Sequence, residues 1–312
     1  MILIISSSAD NGVQRVCDWL DYYDQPYMIA NETTPFEYTL RGGVVYAGIN
    51  GQPPQRVEGG WIRNPYLNLG NFHPVNHKEL GKWIGMDLQK NQEFLFHHFK
   101  NSLGFLGTPY SLDINKLQVF EQALAMNISV PPYAMISGRT ALFEFIGQHG
   151  HAVTKSIGWN INLSIDGVNH TGYTKLLSQE DILHLPERFM PSFLQKFIEA
   201  KFEIRSLLVA DRQFSMAQAV DREAPIDSRV RDMQGQSLPF ALPEQETSRL
   251  WRLMQQAGLD FCVFDILFAN DEYWLIDINP TGQFTRIGRT CHYPIESFIA
   301  QVLIARRNGR TS

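Results

Sequence analysis

The chain has 312 residues, of which 44% are hydrophobic, 12% aromatic and 19% charged. This composition is typical of a folded globular protein and excludes intrinsic disorder as the main state. The 32 acidic residues outnumber the 27 basic ones, so the formal net charge is -5. Binding to duplex nucleic acid is therefore not expected, because it usually needs a basic stripe on the surface.

The cysteine usage indicates a reducing compartment, and the hydropathy pattern indicates no membrane helix. There are three cysteines, Cys17, Cys262 and Cys291, and no Cys-x-x-Cys motif. This usage argues against a disulfide framework and against a cysteine zinc site. No stretch approaches the roughly 18 apolar residues that a membrane helix needs, and residues 1–8 lack the basic start of a signal peptide. We therefore expect a cytoplasmic protein with no membrane partner.

The first part of the chain predicts a small α/β domain. Residues 1–6 form an apolar run that is typical of a buried strand, residues 12–22 have helical apolar spacing, and residues 26–30 favour another strand. A strand-helix-strand order of this kind begins an α/β domain. Further strands at 37–40, 44–49 and 56–63 precede a long helix at 80–100. Because Pro109 breaks the pattern, we predict a domain over residues 1–112.

The rest of the chain predicts two further units, at 113–190 and 191–312. The first is a mixed α+β lobe, with helices at 115–126 and 140–148, strands at 130–136 and 152–157, and a strand pair within 160–174. The second contains extended segments at 193–200, 202–210 and 214–219, helices at 244–257 and 293–307, and a hairpin of 261–268 with 272–278. Gly258 is the expected C-terminal cap of the first of these helices.

The predicted hairpin near the C-terminus carries a candidate metal site. Asp277 and Asn279 lie two residues apart on one strand and share a face, while Trp274, Ile276 and Ile278 are expected on the other. If the loop between the strands has three residues, Asp265 lies directly opposite Asp277. Facing carboxylates repel each other in a sheet, and a divalent cation would remove that conflict.

The types of these side chains favour magnesium. Two carboxylates and an amide oxygen form a set of hard oxygen ligands, and Mg²⁺ takes its remaining ligands from water or phosphate. The alternative is that Asp265, Asp277 and Asn279 are only the polar ends of an exposed strand. The chain also lacks the usual Gly-rich phosphate-binding and dinucleotide-binding motifs.

On these residues the chain resembles the ATP-grasp superfamily. The strand pair with Asp265, Asp277 and Asn279 is similar to the Asp…Glu-x-Asn magnesium motif of those enzymes, with Asp at position 277 where Glu is usual. The resemblance implies an ATP-grasp fold of mixed α+β and α/β type, preceded by an N-terminal pre-ATP-grasp α/β domain. It covers residues 113–283.

The resemblance also implies a nucleotide site. Lys116 and Lys155 match the lysines that bind the phosphates, and Arg205 matches an arginine near the transferred phosphate, with Lys155 and Arg205 as the catalytic pair. Lys201 and Glu203 alternate with Arg205 along one strand. The hinge between the two lobes that clasp ATP corresponds to Gln195, Lys196, Phe197, Ile198 and Glu199. There the backbone would contact adenine and Glu199 the ribose.

The N-terminal segment resembles one group within this superfamily, the graspetide (omega-ester peptide) ligases of the grasp-with-spasm and microviridin-ligase type. The segment from Trp61 to Pro65 is similar to their Trp-x-Arg-Arg-Pro, with Asn64 at the second arginine. Asp227-Ser-Arg229 resembles a segment that these enzymes use at the core peptide. The resemblance implies that Arg63, Asp227 and Arg229 bind substrate.

The implied reaction is ATP-dependent macrocyclisation of a ribosomally made precursor peptide, with a leader and a core, through side-chain ester or amide bonds. The implied cofactors are ATP and Mg²⁺, and a homodimer is implied because related ligases are often dimers. Two alternatives stay open. One is another ATP-grasp ligase, such as a protein glutamate ligase or a glutathione-synthetase-like enzyme. The other is a catalytically silent protein that binds a nucleotide or a leader peptide.

Overall fold

The computed structural model describes residues 1–70, 78–109, 114–157, 162–166, 168–172, 174–220 and 237–309. Helices and strands are numbered along the chain. The first nine elements are β1 (Ile2–Ile5), α1 (Asn11–Tyr22), β2 (Tyr27–Ala30), β3 (Phe36–Arg41), β4 (Val44–Ile49), β5 (Gln55–Arg56), β6 (Gly59–Ile62), α2 (Lys78–Ser102) and β7 (Leu106–Gly107).

A parallel sheet with the strand order β2-β1-β6-β7 organises the N-terminal part. All four residues of β1 are fully buried, because both faces of a parallel sheet are covered. Helix α1 begins after Asp10, whose Oδ1 accepts hydrogen bonds from the backbone N–H of Gly12 at 2.9 Å and Val13 at 3.4 Å. This cap satisfies helix donors that have no partner within the helix.

The expected single strand over residues 56–63 is wrong, because the chain passes between two sheets there. Strand β5 pairs with β4 in an antiparallel sheet of β3, β4 and β5, whereas β6 pairs with β1. Between them, the Glu58 carboxylate accepts a hydrogen bond from Nε of Arg307 at 3.1 Å. Gly60 lies so close to β1 that a Cβ would stand 1.9 Å from the Leu3 carbonyl oxygen.

The middle of the chain forms an antiparallel sheet with the order β12-β9-β13-β8, next to a separate β10-β11 hairpin. Its elements are α3 (Lys116–Ala125), β8 (Tyr133–Gly138), α4 (Arg139–His149), β9 (Ala152–Thr154), β10 (Asn162–Ile165), β11 (Val168–Thr171), β12 (Lys175–Leu176), α5 (Gln179–His184) and β13 (Arg188–Lys196). Strand β9 is shorter than the expected 152–157. Strand β13 crosses the predicted limit at 190/191, and the domain limits stay predictions.

The last part forms an antiparallel sheet with the order β16-β15-β14-β17-β18. Its elements are β14 (Phe202–Val209), β15 (Arg212–Ala219), β16 (Ser237–Pro239), α6 (Glu244–Gln256), β17 (Phe261–Ala269), β18 (Glu272–Asn279), α7 (Thr285–Cys291) and α8 (Ile295–Arg307). The short helices α5 and α7 were not expected. No helix in the described residues is long and apolar enough to cross a lipid bilayer.

Two hydrophobic cores hold this sheet from its two faces. One core joins Leu207, Phe261 and Val263 of the C-terminal sheet to Ile4 and Trp61 of the N-terminal sheet. The other packs the opposite face against helices α3 and α6. The face that carries Phe261 and Val263 continues two residues further as Asp265, because alternate residues of a strand share a face. The candidate site therefore begins where this core ends.

An ionic junction fixes the start of β17 to the N-terminal part. The carboxylate of Asp260 contacts Nζ of Lys100 at 2.9 Å and Nη1 of Arg306 at 2.6 Å. It also accepts a hydrogen bond from the backbone N–H of Gly107 at 2.8 Å. One side chain thus joins α2, β7 and α8 to the strand that carries Asp265.

The cysteines provide a test of this packing. All three are buried, and burial raises the pKa of the Cys17 thiol to about 12 and also raises those of Cys262 and Cys291. Because the thiolate is the reactive form, we expect iodoacetamide to alkylate the native chain at least about tenfold more slowly than the unfolded chain. Mass spectrometry of timed samples measures this. Rapid alkylation of the native chain would contradict the packing.

Candidate active site

The hairpin of β17 and β18 places two carboxylates face to face. Its turn has two residues, Asn270 and Asp271, with φ angles of 51° and 60°, so the expected three-residue loop is wrong. A bulge at Ile276 nevertheless shifts the register, and Asp265 pairs with Asp277. Without this extra residue, Asp265 would lie opposite Ile276 and Asp277 would face the core.

The bulge also changes which residues of β18 face the core. Ile278 is fully buried, as expected, but Leu275 is buried as well. Leu275 pairs with Ile266, whereas Trp274 pairs with Leu267 on the face of the carboxylates. The expectation that Trp274 lies on the apolar face is therefore wrong, because it assumed strict alternation along the strand.

Arg205 forms an ion pair with Asp265. It lies directly opposite Asp265 in the pairing of β14 with β17, and its Nη1 is 2.9 Å from Oδ1 of Asp265. Its Nε and Nη2 donate to the carbonyl oxygen of Gln283 at 3.4 Å and 3.3 Å. The guanidinium is thus held from two sides, which fixes the direction in which it can meet an anion.

Lys116 forms the matching ion pair with Asp277. It is the first residue of α3, which Asn115 caps through its side-chain oxygen. The Nζ atom of Lys116 is 2.8 Å from Oδ1 and 3.0 Å from Oδ2 of Asp277. Oδ1 also accepts a hydrogen bond from the backbone N–H of Ile278 at 2.9 Å. A residue 161 positions earlier in the chain thus reaches the hairpin.

Lys155 reaches the same hairpin from the middle sheet. It follows Thr154, the last residue of β9, so the expectation that it lies within a strand is wrong. Its Nζ donates a hydrogen bond to the carbonyl oxygen of Ile276, the bulged residue. The ammonium also lies 5.9 Å from the ring centroids of Phe120 and of Phe193. The two rings therefore attract the ammonium while it donates to β18.

The two carboxylates have different electrostatic environments. Burial opposes ionisation of Asp277, but Lys155 and Lys116 outweigh it and hold its pKa below the ordinary value. Burial raises the pKa of Asp265 to about 6, because the charge of Arg205 offsets it only in part and Asp277 adds to it. Opposite shifts in one pair are typical of functional sites.

Asp265, Asp277 and Asn279 also suit magnesium by their chemistry. The set offers four carboxylate oxygens and one amide oxygen, which are ligands that Mg²⁺ prefers. The Oδ1 atom of Asn279 accepts a hydrogen bond from the backbone N–H of Thr281 at 3.1 Å. Across the described residues, no group of three His, Cys, Asp or Glu side chains could hold a metal ion. Asn279 is thus the third oxygen donor of the predicted set, and the metal site stays a prediction.

The segment predicted to bind adenine begins at the end of β13. Gln195 is 2% exposed, and its Nε2 has no hydrogen-bond partner within the described chain. The backbone N–H groups of Lys196 and Phe197 donate to the carbonyl oxygens of Pro132 and His151, each at 2.8 Å. A buried donor without a partner is costly, so a ligand with an acceptor atom suits Gln195.

The remaining residues of the predicted nucleotide site continue towards β14. Ile198 is half-buried and Glu199 is exposed. The backbone N–H of Lys201 donates to the carbonyl oxygen of Phe268 at 2.8 Å. The charge of Glu203 acts on Asp265, so Glu203 contributes to the same electrostatic environment.

The residues predicted to bind substrate are placed differently. Arg63 is 1% exposed and its Nε lies 2.9 Å from Oδ2 of Asp10, so it does not form part of an open basic surface. Asp227 and Arg229 lie outside the described residues. The role of all three in binding substrate stays a prediction.

Some contacts of the site could not be seen in the sequence. The carbonyl of Gln283 braces Arg205, and a backbone carbonyl leaves no sequence signal. The turn before it is tight, because a Cβ at Gly282 would stand 2.5 Å from Cβ of Val263. In the sequence, Gly282 was the one available sign of such a close approach, because a glycine lets the backbone come near another chain segment.

Comparison with known proteins identifies the fold. No protein-family model and no curated protein matches the chain. Solved structures match along nearly all of it. The macrocyclase MdnC of Microcystis aeruginosa MRC, bound with the precursor peptide MdnA, has a TM-score of 0.77 at 20% identity, over 97% of this chain and 99% of that one.

Two further structures agree. A RiPP-associated ATP-grasp ligase of Chryseobacterium gregarium, in complex with ADP and a leader and core peptide, has a TM-score of 0.74 at 19% identity over 98% of this chain and 96% of that one. The ATP-grasp ligase PsnB, complexed with a minimal precursor, Mg and ADP, has a TM-score of 0.67 at 16% identity over 98% of both chains. The chain has the ATP-grasp fold, which confirms the predicted fold class.

The opposite pKa shifts predict a difference between two matched variants. The raised pKa of Asp265 means that its ionisation opposes folding. The free energy of unfolding therefore falls as the pH rises from about 4, the ordinary pKa, through about 6, the pKa in the folded chain. The lowered pKa of Asp277 means that its ionisation favours folding and that this contribution is lost on acidification. At neutral pH, Asp277→Asn should therefore destabilise the chain more than Asp265→Asn.

We expect Asp277→Asn to lower the free energy of unfolding by about 1–3 kcal/mol, and Asp265→Asn by less than about 1 kcal/mol. Urea unfolding without nucleotide or metal measures both values. The gap between the two variants should narrow as the pH is lowered towards 5. A larger loss in Asp265→Asn would show that the electrostatic description of the pair is incorrect.

Proposed function

We propose that this chain is an ATP- and Mg²⁺-dependent ligase that macrocyclises a ribosomally made precursor peptide. The observation that carries the proposal is the convergence of three cations and two carboxylates from distant parts of the chain: Lys116, Lys155, Arg205, Asp265 and Asp277. The likeness to peptide-bound ATP-grasp ligases over almost the whole chain supports the peptide as substrate.

The proposed reaction has two steps. A side-chain carboxylate of the peptide attacks the γ-phosphorus of ATP, which forms an acyl phosphate and releases ADP. A Thr or Ser hydroxyl, or a Lys amine, of the same peptide then attacks the acyl carbon. It loses its proton, and inorganic phosphate leaves. The product is a ring closed by an ester or an amide bond.

The cations of the site suit the first step. Charge on the phosphoryl oxygens develops during transfer, and fixed cations stabilise it. We assign Lys116 and Lys155 to the phosphates of ATP and Arg205 to the transferred group, because a planar guanidinium matches phosphoryl oxygens. The brace of Arg205 on the Gln283 carbonyl keeps it oriented.

Asp265, Asp277 and Asn279 would hold Mg²⁺, which supplies positive charge to the phosphates when bound. In the ligand-free chain, Arg205 and Lys116 offset the charge of the two carboxylates. The same cations are the ones assigned to phosphate. Nucleotide binding then exchanges ion-pair partners and does not require free cations to be buried, which would be costly.

The base of ATP is assigned to the end of β13. Gln195 offers a buried Nε2 without a partner within the described chain, which suits an acceptor nitrogen of adenine. Because the N–H groups of Lys196 and Phe197 are already bonded, backbone contacts to the base fall to the residues from Ile198 onward. The exposed side chain of Glu199 is assigned to the ribose.

The remaining expectations concern partners. Arg63, Asp227 and Arg229 are assigned to the precursor peptide. A homodimer, the absence of a nucleic-acid or membrane partner and a cytoplasmic location stay predictions.

The reaction class is tested by mass spectrometry. The chain is incubated with ATP, Mg²⁺ and the product of a neighbouring short gene that is rich in Thr and Glu or Asp. We expect the peptide to lose the mass of one water per ring and ADP to appear. Addition of glutamate units to the peptide would indicate a protein glutamate ligase. ADP formation with small molecules alone, without a peptide, would indicate a glutathione-synthetase-like enzyme. No turnover with any plausible precursor would favour a silent binding protein.

Two variants test the assigned roles. Asp277→Ala removes a metal ligand and should abolish ADP release.

Arg205→Lys keeps the charge but loses the planar fork, so we expect the turnover rate to fall about 100-fold or more while the affinity for ATP falls only a few-fold. ADP release and ATP titration measure the two effects. Equal losses of rate and affinity in Arg205→Lys would reduce Arg205 to a binding residue.

A further inference from the structure

The order of strands in the N-terminal sheet defines a crevice. From β1 the chain crosses through α1 to β2 on one side, and later returns to β6 on the other side of β1. The connection that follows β1 thus leads to β2, and the connection that follows β6 leads through α2 to β7, in the opposite direction. In open parallel sheets, ligands bind at such a point, outside the carboxyl ends of the two strands.

Ser6 and Arg63 occupy this point. They follow the last paired residues of β1 and β6, Ile5 and Ile62, and the backbone N–H of Arg63 donates to the carbonyl oxygen of Ile5 at 2.8 Å. Both side chains therefore lie on the same face of the sheet at its carboxyl edge. This face is the one that carries Trp61 in the core.

Three of the four polar atoms of these two side chains are unsatisfied within the described chain. Ser6 is fully buried and Arg63 is 1% exposed. Oγ of Ser6 and both Nη atoms of Arg63 have no hydrogen-bond partner in the part of the chain that is described. These groups supply five N–H and O–H donors in one place. Buried donors are normally paired, so each exception calls for an explanation.

The surroundings of Arg63 do not supply the missing acceptors. Within the described residues, Asp10 accepts a hydrogen bond from Nε, and both Nη atoms stay unsatisfied. The guanidinium carbon lies 5.7, 5.2 and 5.4 Å from the ring centroids of Trp61, Phe261 and Phe284. Aromatic faces attract the charge, but they do not replace hydrogen bonds to oxygen.

The crevice also adjoins the candidate active site. Arg205 is close enough for its charge to act on Arg63. Phe284, which covers the guanidinium, directly follows Gln283, whose carbonyl binds Arg205. A group held by Arg63 is therefore near the residue assigned to the transferred phosphate.

We propose that Ser6 and Arg63 form a subsite for a carboxylate, the acidic side chain that the peptide substrate presents for activation. The two Nη atoms match the two oxygens of a carboxylate, and the Ser6 hydroxyl adds a third donor. Both Nη atoms are closed to solvent in the ligand-free chain, so a covering ring such as Phe284 moves aside when the carboxylate enters. The proposal rests on the proposed function and adds Ser6 to it.

Calorimetric titration with glutarate, which carries the carboxylate of a glutamate side chain, tests the subsite. The chain is saturated with ADP and Mg²⁺ beforehand. We expect glutarate to bind the parent chain, and Arg63→Lys and Ser6→Ala each to bind it about fivefold to tenfold more weakly. Ser6→Ala should leave the unfolding midpoint unchanged or higher, because the Ser6 hydroxyl makes no hydrogen bond to any described residue of the ligand-free chain.

Ser215→Ala is the matched control. Ser215 is also buried, but its Oγ lies 2.8 Å from Oγ of Ser206, so this variant should lower the unfolding midpoint and leave glutarate binding unchanged. A purely structural Ser6 would behave like Ser215, and that result would overturn the proposal. It would also be overturned if glutarate failed to bind the parent chain. The ADP titration is read separately, so a failure there concerns the nucleotide site and the proposed function.

Discussion

The repulsion between Asp265 and Asp277 is the constraint on which the rest of the site depends. Two carboxylates that face each other at the edge of a core cannot both be ionised without nearby positive charge. Lys116 and Arg205 supply it in the ligand-free chain, from a helix and from a neighbouring strand. The convergence of distant segments on this hairpin is therefore an electrostatic requirement as well as a result of topology.

Such an arrangement is a poor way to gain stability. Ion pairs that are mostly buried recover little more than the cost of removing their charges from water, and apolar residues of similar size often do better. The raised pKa of Asp265 indicates that its charge is not fully compensated. A fold that retains this cost beside a well-packed core is typical of a binding or catalytic site, where strain and charge serve a ligand.

The sequence predicted the pairing of Asp265 with Asp277 but not the way it is achieved. Apolar alternation and a turn signal locate a hairpin, because both are local, whereas the bulge at Ile276 depends on contacts across the sheet. Lys155 was expected within a strand because its apolar neighbours are a local signal, whereas the end of β9 at Thr154 depends on pairing across the sheet. The burial of Arg63 results from the packing of two sheets that are far apart in the chain, and no local pattern encodes it.

The junction at Asp260 has a mechanical consequence. It ties β17 to α2, β7 and α8, and β17 pairs along its length with β14, the strand of Arg205. Lys155 instead follows the end of β9 in the middle sheet and donates to the carbonyl oxygen of Ile276. Any displacement of the middle sheet against the hairpin would therefore break the contact of Lys155 with Ile276 and leave the ion pair of Arg205 with Asp265 in place.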